Sequence, residues 1–409
     1  MKKYRLDIIF ILMIFTLALA LRMVIAQPTF NGDLSFPAGD DDDYYQIAIS
    51  LIESGRLAIN GYDTAYRMPG FPLFVAFWHL LFGTKQPYAI LPVLLVLGAL
   101  LPVGTYLLAR TLGGFPLSGL VAGLIPTLDP DFITFSRLYM TEMLFSLLVL
   151  ASMLAVSRLR VTVAWRWSVV SGLLLGAATL TRANFGPVSA IILLWLIWHG
   201  RHQIRVVLPQ VILVGMIVGT LWGGWVVRNY LVLHSFIPFT TQGGSAYYGI
   251  YNDEATSDAL GFRFGYWLNR APDLPSLPGQ VWNEVSVDRY QTALAREWIT
   301  AHPGTALRVA LMQVAHFWSP PLIDISYLLT VVIGLPALLV LVFYQRQPEL
   351  VLWLLLAVTM SALTIISVGV ARYQMPLRPL LAVTTVLGLS ALYQRLARFR
   401  RRTGFSPMN

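Results

Sequence analysis

Runs of about twenty apolar residues recur along this chain, and they leave it few ways to fold. A helix of about 20 residues crosses the roughly 30 Å hydrocarbon core of a bilayer and satisfies its own backbone polar groups there. The first run, Ile8 to Ala26, follows Lys2, Lys3 and Arg5. Its length, Arg22 near its far end and the lack of a clean small-residue cleavage site read as a retained anchor rather than a signal peptide. Hydropathy and helix breakers predict ten spans, near 7–26, 88–109, 115–129, 139–157, 167–181, 186–199, 206–227, 323–344, 350–370 and 376–394. The stretch "AHPGTALRVALMQVAHFWSPP", 301–321, would make an eleventh if it crossed. Only 12% of the 409 residues are charged, against about 25% in soluble domains. The expected class is an all-α polytopic membrane protein, a single transmembrane domain over 1–409.

Charge gives the expected orientation. With ten spans, one side collects fifteen basic residues, among them Lys2, Arg110, Arg160, Arg201 and Arg402, against Asp7 and Glu349. The other side holds the remaining fourteen basic and eighteen acidic residues. The positive-inside rule makes the first side cytoplasmic, with both termini there, in a multi-pass plasma-membrane protein. An eleventh span at 301–321 would put Arg395 to Arg402 outside, so that stretch is expected to lie at the interface or to re-enter from outside. The net charge of +9 is accounted for by basic residues flanking spans, which removes the reason to expect a nucleic-acid partner.

Two long segments fall on the outer side: a first outer loop, 27–87, and a second, 228–322. The first contains "GDDDDYYQIA", with Asp40 to Asp43 at or just before the start of a helix on whose buried face Tyr44, Ile47 and Leu51 are expected. Acids stabilise a helix N-terminus, but four in a row exceed what a cap requires. Such a cluster beside a bilayer suits a general base, a divalent-cation site (Mg²⁺ or Mn²⁺), or both. The aromatic segment Phe71 to Gly83 is too short to span and is expected to form a juxtamembrane helix. Asp129, Asp131, Arg137, Glu142 and Arg182 lie in or at the rims of spans, where charge is costly and faces a cavity or a partner. Two readings are open for them: an Arg137–Glu142 structural ion pair, or a cavity acidic on one wall and basic on another. The second outer segment carries Arg228, Asn229, Gln242, Tyr247 and Tyr248, where tyrosines beside glycines and amides suit a sugar-binding lining or an ordinary interface belt. Arg372 and Tyr373 stand at the turn before the last span, a place for holding a phosphate or for anchoring to headgroups. No cysteine, H-E-x-x-H, Walker A loop, G-x-S-x-G or dinucleotide fingerprint occurs, which disfavours thiol, zinc-protease and ATP-driven chemistry.

The order of these motifs resembles the GT-C superfamily of membrane glycosyltransferases, in the branch of the protein O-mannosyltransferases and the lipid A aminoarabinose transferases. The resemblance rests on the acidic run with Tyr44 and Ala48, the Arg67-x-Pro-Gly step, Thr141-Glu142, Leu180-Thr181-Arg182, Arg228-Asn229-Tyr230 and Arg372-Tyr373-x-x-Pro376, and runs from about residue 5 to 395. It implies a GT-C-like bundle of about ten helices. It also implies transfer of one sugar from a polyprenyl-phosphate donor to a lipid, glycan or protein hydroxyl at the outer face, by inverting displacement. By position, Asp40, Asp41 and Glu142 become the catalytic acids, Asp40 the base. Arg67, Arg182 and Arg372 become the phosphate ligands, and Tyr44, Tyr247 and Tyr248 sugar or acceptor contacts. Asp40 and Asp41 are also the candidate metal ligands. Asp42 and Asp43 depart from the pattern and leave a one-residue shift of register open. A lipid-linked sugar flippase, or a ligase or polymerase using the same carriers, is the alternative.

Overall fold

The computed structural model describes residues 5–30, 40–257, 265–268, 282–319 and 324–403. A helix occupies each of the ten expected segments: α1 (Arg5–Phe30), α4 (Leu91–Thr111), α5 (Pro116–Leu128), α7 (Thr141–Thr162), α8 (Trp165–Thr181), α9 (Phe185–His199), α10 (Ile204–Leu233), α14 (Ile325–Tyr327) continuing through a π-helical stretch into α15 (Leu335–Gln345), α16 (Pro348–Leu363) and α17 (Arg378–Thr403). Among the described residues seven helices are long and apolar enough to cross a membrane; α5 and α9 are apolar but shorter. The protein is a multi-pass membrane protein of helical architecture, with one two-stranded hairpin among the described residues.

The helices pack as their patterns require. Ile14, Ala18, Arg22 and Ala26 of α1 are buried at every fourth position, a stripe that packs against α4 and α5. The main core joins α4, α5, α7 to α9 and α15 to α17 through residues such as Phe145, Trp195, Trp353 and Leu380. Arg22 is enclosed with its guanidinium donating to Ser136 Oγ (3.0 Å) and to the carbonyls of Ala18 and Pro126. Arg378 meets Asp129 at 3.2 Å and Asp131 at 2.7 Å, and Ser326 donates to Asp129 as well. These pairs pin α5, α14 and α17 together beside the segment that carries Arg372.

The first outer segment folds as α2 (Asp40–Ser54), a hairpin of β1 (Ala58–Ile59) and β2 (Tyr62–Asp63), and α3 (Gly70–Phe82). Asn60 and Gly61 both have positive φ, 50° and 81°, as a two-residue type I′ turn demands. That reversal sends residues 64–70 back toward α2. Phe71, Val75, Ala76 and His79 of α3 are buried while Leu73, Phe77, Leu80 and Leu81 are exposed, so α3 is apolar on both faces, as a short juxtamembrane helix is. In the second outer segment α11 (Gly243–Ile250), α12 (Glu284–Ala301) and α13 (Pro303–Trp318) are described. The stretch 301–321 forms the 16-residue α13 up to its last residues, 320 and 321, which lie outside the described residues; α13 packs on the turns before α17.

Candidate active site

Four carboxylates and three arginines from five parts of the chain converge at one rim of the bundle. α2 starts at Asp40, so all four aspartates occupy its first turn. Helical spacing puts Asp40 and Asp43 on one face and Asp41 with Tyr44 and Ala48 on the buried one. Arg67 meets the first pair: its Nη2 donates to Asp40 Oδ1 and, at 2.8 Å, to Asp43 Oδ2, which also accepts from Nε at 3.1 Å. Its Nη1 donates to Gln242 Oε1 at 3.1 Å, and Tyr44 and Tyr66 flank the guanidinium at 5.3 and 4.9 Å. Arg372, on a 3-10 turn (Ala371–Leu377), takes the second oxygen of Asp40 at 3.0 Å.

Glu142, in the first turn of α7, forms the inner wall. It accepts from Arg182 Nη2 at 2.5 Å and lies 3.8 Å from Arg372 Nε. Of the two readings open for these charges, the Arg137–Glu142 ion pair does not occur among the described residues: the partners of Glu142 are Arg182, at the end of α8, and Arg372. Arg182 Nε also donates to Thr141 Oγ1 at 2.8 Å, and Tyr373 lies beneath both Arg182 (4.9 Å) and Arg372 (5.5 Å).

The close approach of these parts depends on Gly70. A Cβ there would lie 2.7 Å from the backbone carbon and oxygen of Leu180, so only glycine lets the start of α3 press on the end of α8 and bring Arg67 beside Arg182. The turn bearing Arg67 is held from the other outer segment. Glu284 accepts from Thr64 Oγ1 (2.6 Å) and Ala65 N (2.7 Å), Arg228 donates to the carbonyls of Thr64 and Leu57, and Thr241 N donates to Ala65 O.

Electrostatics separates the acids. Burial raises the Asp40 carboxyl, but Arg67 and Arg372 outweigh it and hold the group below its ordinary 3.8. Asp41 is 7% exposed and has no hydrogen bond among the described residues. Burial, then the charges of Asp40 and Glu142, push it up to about 6. One buried oxygen of Glu142 also has no hydrogen-bond partner among the described residues. A carboxyl raised toward neutrality thus stands beside a cluster of cations.

The whole chain superposes on 53% of the Archaeoglobus fulgidus oligosaccharyltransferase AglB, in complex with an inhibitory peptide and a dolichol-phosphate, with a TM-score of 0.60 and 14% identity. The fold is a GT-C fold. The A. fulgidus oligosaccharyltransferase in complex with Zn and sulfate gives a TM-score of 0.57 at 13% identity over 95% of this chain and 49% of that one. ArnT from Cupriavidus metallidurans bound to undecaprenyl phosphate gives 0.44 at 13% identity, over 93% and 77%. Residues 66–225 match the family described as dolichyl-phosphate-mannose-protein mannosyltransferase. The chain spans about half the length of the archaeal structures. No curated protein matches it by sequence.

On the GT-C scaffold the sequence-predicted residues divide. Asp40, Asp41, Glu142, Arg67, Arg182 and Arg372 come together. Tyr44 serves as a packing wall for Arg67 and stacks edge-on against Phe71 at 5.2 Å. Tyr247 and Tyr248 pack in a cluster with Ile250, Tyr251 and Trp298, and Tyr248 lines a cleft with Asn252, Glu297 and His302. Glu284 was missed, and Asp43 and Gln242, both named in the sequence, were not recognised there as partners of Arg67. For a divalent cation the fit is poor: both oxygens of Asp40 face guanidinium groups, and the described residues contain no group of three His, Asp or Glu side chains arranged to hold an ion.

Proposed function

We propose that the protein transfers a single sugar from a polyprenyl-phosphate donor to an acceptor hydroxyl at the outer face of the membrane, by direct inverting displacement. The observation that carries this reading is the convergence of Arg67, Arg182 and Arg372 on Asp40, Asp41 and Glu142 at one rim of the bundle. The ten crossings and cytoplasmic termini expected from hydropathy and charge support an outward-facing rim.

In this mechanism the acceptor oxygen attacks the anomeric carbon as the bond to the phosphate oxygen breaks, and the electron pair leaves with the phosphate. The three arginines stabilise the charge that develops there. Sequence position pointed to Asp40 as the base, yet both its oxygens are held by guanidinium groups and its proton affinity is depressed. Asp41, desolvated and poised near 6, is the better acceptor for the hydroxyl proton. Asp40 then positions Arg67 and Arg372, and an arriving donor phosphate competes with it for their N–H groups. No step requires a metal ion.

A second reading, transfer of an oligosaccharide by a ligase using the same carriers, draws on the fold likeness to the archaeal oligosaccharyltransferase. Incubating the purified protein with polyprenyl-phosphate monosaccharides separates the two. Release of free polyprenyl phosphate dependent on acceptor supports the single-sugar reading. Turnover only with lipid-linked oligosaccharide refutes it, and movement of intact lipid-linked sugar without bond cleavage refutes both in favour of a flippase.

A further inference from the structure

We propose that the end of the bundle opposite the carboxylate–arginine cluster holds the phosphate of an anionic phospholipid headgroup, in a cavity between α7, α9 and α10. From Glu142 to Arg160, α7 advances about 27 Å at 1.5 Å per residue, close to one hydrocarbon thickness. The cavity therefore lies at the other membrane interface. It has a volume of about 210 Å³ and is lined by Arg160, His199, His202, Gln203 and Gln210 over an apolar floor that includes Leu196 and Val207.

The lining offers donors and almost no competing acid. Among the described residues the lining holds no carboxylate, and Glu349 beside it accepts from Arg160 Nε and Nη2 through Oε1 at 2.9 and 2.6 Å, with no hydrogen bond to Nη1 among the described residues. Gln210 accepts from Ser168 Oγ through its carbonyl at 2.7 Å, which leaves its amide N–H groups to donate. Two imidazoles add N–H donors, and the first turn of α10, a 30-residue helix beginning at Ile204, contributes backbone N–H groups and the positive end of its dipole. Arg158, Arg166, Arg201 and Arg205 lie on or next to the same helix ends.

Two features place a lipid, rather than a free ion, in this cavity. Trp165 and Trp198 are 70% and 54% exposed at this level, the position of interfacial tryptophans. Val206, Leu208 and Ile212 of α10 are also exposed, an apolar path for an acyl chain leading away from the cavity. A basic pocket between helices at a membrane interface is the arrangement that recognises anionic headgroups.

Native mass spectrometry of the full-length protein in detergent tests this directly, with phosphatidylglycerol, phosphatidylcholine and inorganic phosphate as separate probes. We expect phosphatidylglycerol to bind at least tenfold more tightly than phosphatidylcholine. The preference should fall at least tenfold in Arg160→Gln/Glu349→Gln, a pair chosen so that no buried carboxylate is orphaned. Where that protein does not fold, His199→Gln/His202→Gln supplies the same reading and should lower the preference severalfold. Equal binding of the two lipids, or an unchanged preference in the variants, overturns the proposal. Displacement of phosphatidylglycerol by millimolar phosphate overturns the lipid assignment in favour of a free-anion site.

Discussion

Replacing Asp41 by asparagine removes the proposed base while keeping its shape, and it has two opposite consequences. General-base catalysis contributes typically 10² to 10⁴-fold, so turnover should fall by about that factor. Stability should rise. The carboxyl is raised from 3.8 to about 6 in the folded protein, so the folded state holds its proton more tightly than the unfolded state does. A raised carboxyl favours folding fully below pH 3.8 and loses that advantage as pH climbs through 6. At 1.36 kcal/mol per pH unit, ionising Asp41 at pH 7 costs about 3 kcal/mol, an upper figure because Asp40 and Glu142 share the repulsion. The asparagine variant escapes that cost. In wild type, kcat/KM should fall about tenfold per pH unit below about pH 6, as the base becomes protonated. The asparagine variant should lose that limb. The assays are polyprenyl-phosphate release against pH and thermal unfolding of both proteins in the same detergent. Turnover within about threefold of wild type, or lower stability with the acid limb intact, refutes the assignment and returns Asp41 to a structural role.

Arg67→Ala should both raise the donor KM and lower kcat, together by about 10² to 10³ in kcat/KM, because a charge-assisted contact to the leaving phosphate strengthens as the bond breaks; steady-state kinetics with varied donor reads the split. Gly70→Ala forces the start of α3 off Leu180 and should cost about 1–3 kcal/mol, with at least a tenfold loss of turnover, read by thermal unfolding and activity together. Arg378→Ala leaves Asp129 buried without its cation and should destabilise by about 3–5 kcal/mol, whereas Asp129→Asn should cost less; denaturation of the two variants gives the comparison.

The helices were legible because a span announces itself locally. The run predicted at 139–157 is Thr141–Thr162, and that at 206–227 is Ile204–Leu233; both extend farther at their polar ends, where hydropathy fades before hydrogen bonding does. The short segments expected near 167–181 and 186–199 are the helices Trp165–Thr181 and Phe185–His199. The aspartate run was readable as more than a cap, and its meeting with Arg67 turns on the Asn60–Gly61 hairpin, a two-residue signal. The pairing of charges was not readable. Arg372 reaches Asp40 across 332 positions, and nothing in local pattern distinguishes Arg182 from Arg137 as the partner of Glu142. Likewise Tyr247 and Tyr248 sit in a sequence that suits a sugar lining, but α11 turns them into a cluster with Tyr251 and Trp298. The difference between Asp40 and Asp41 arises only after folding, when two guanidinium groups reach one carboxylate and leave its neighbour desolvated.

The most direct test of glycosyl transfer is mass spectrometry of glycolipids, polysaccharides, glycoproteins and lipid-linked sugars from cells lacking the protein, rescued by wild type or by Asp41→Asn. The account predicts that the variant rescue lacks one sugar on one class of acceptor and accumulates the matching polyprenyl-phosphate monosaccharide. Full restoration of every glycan by the variant, with no donor accumulating, would contradict it.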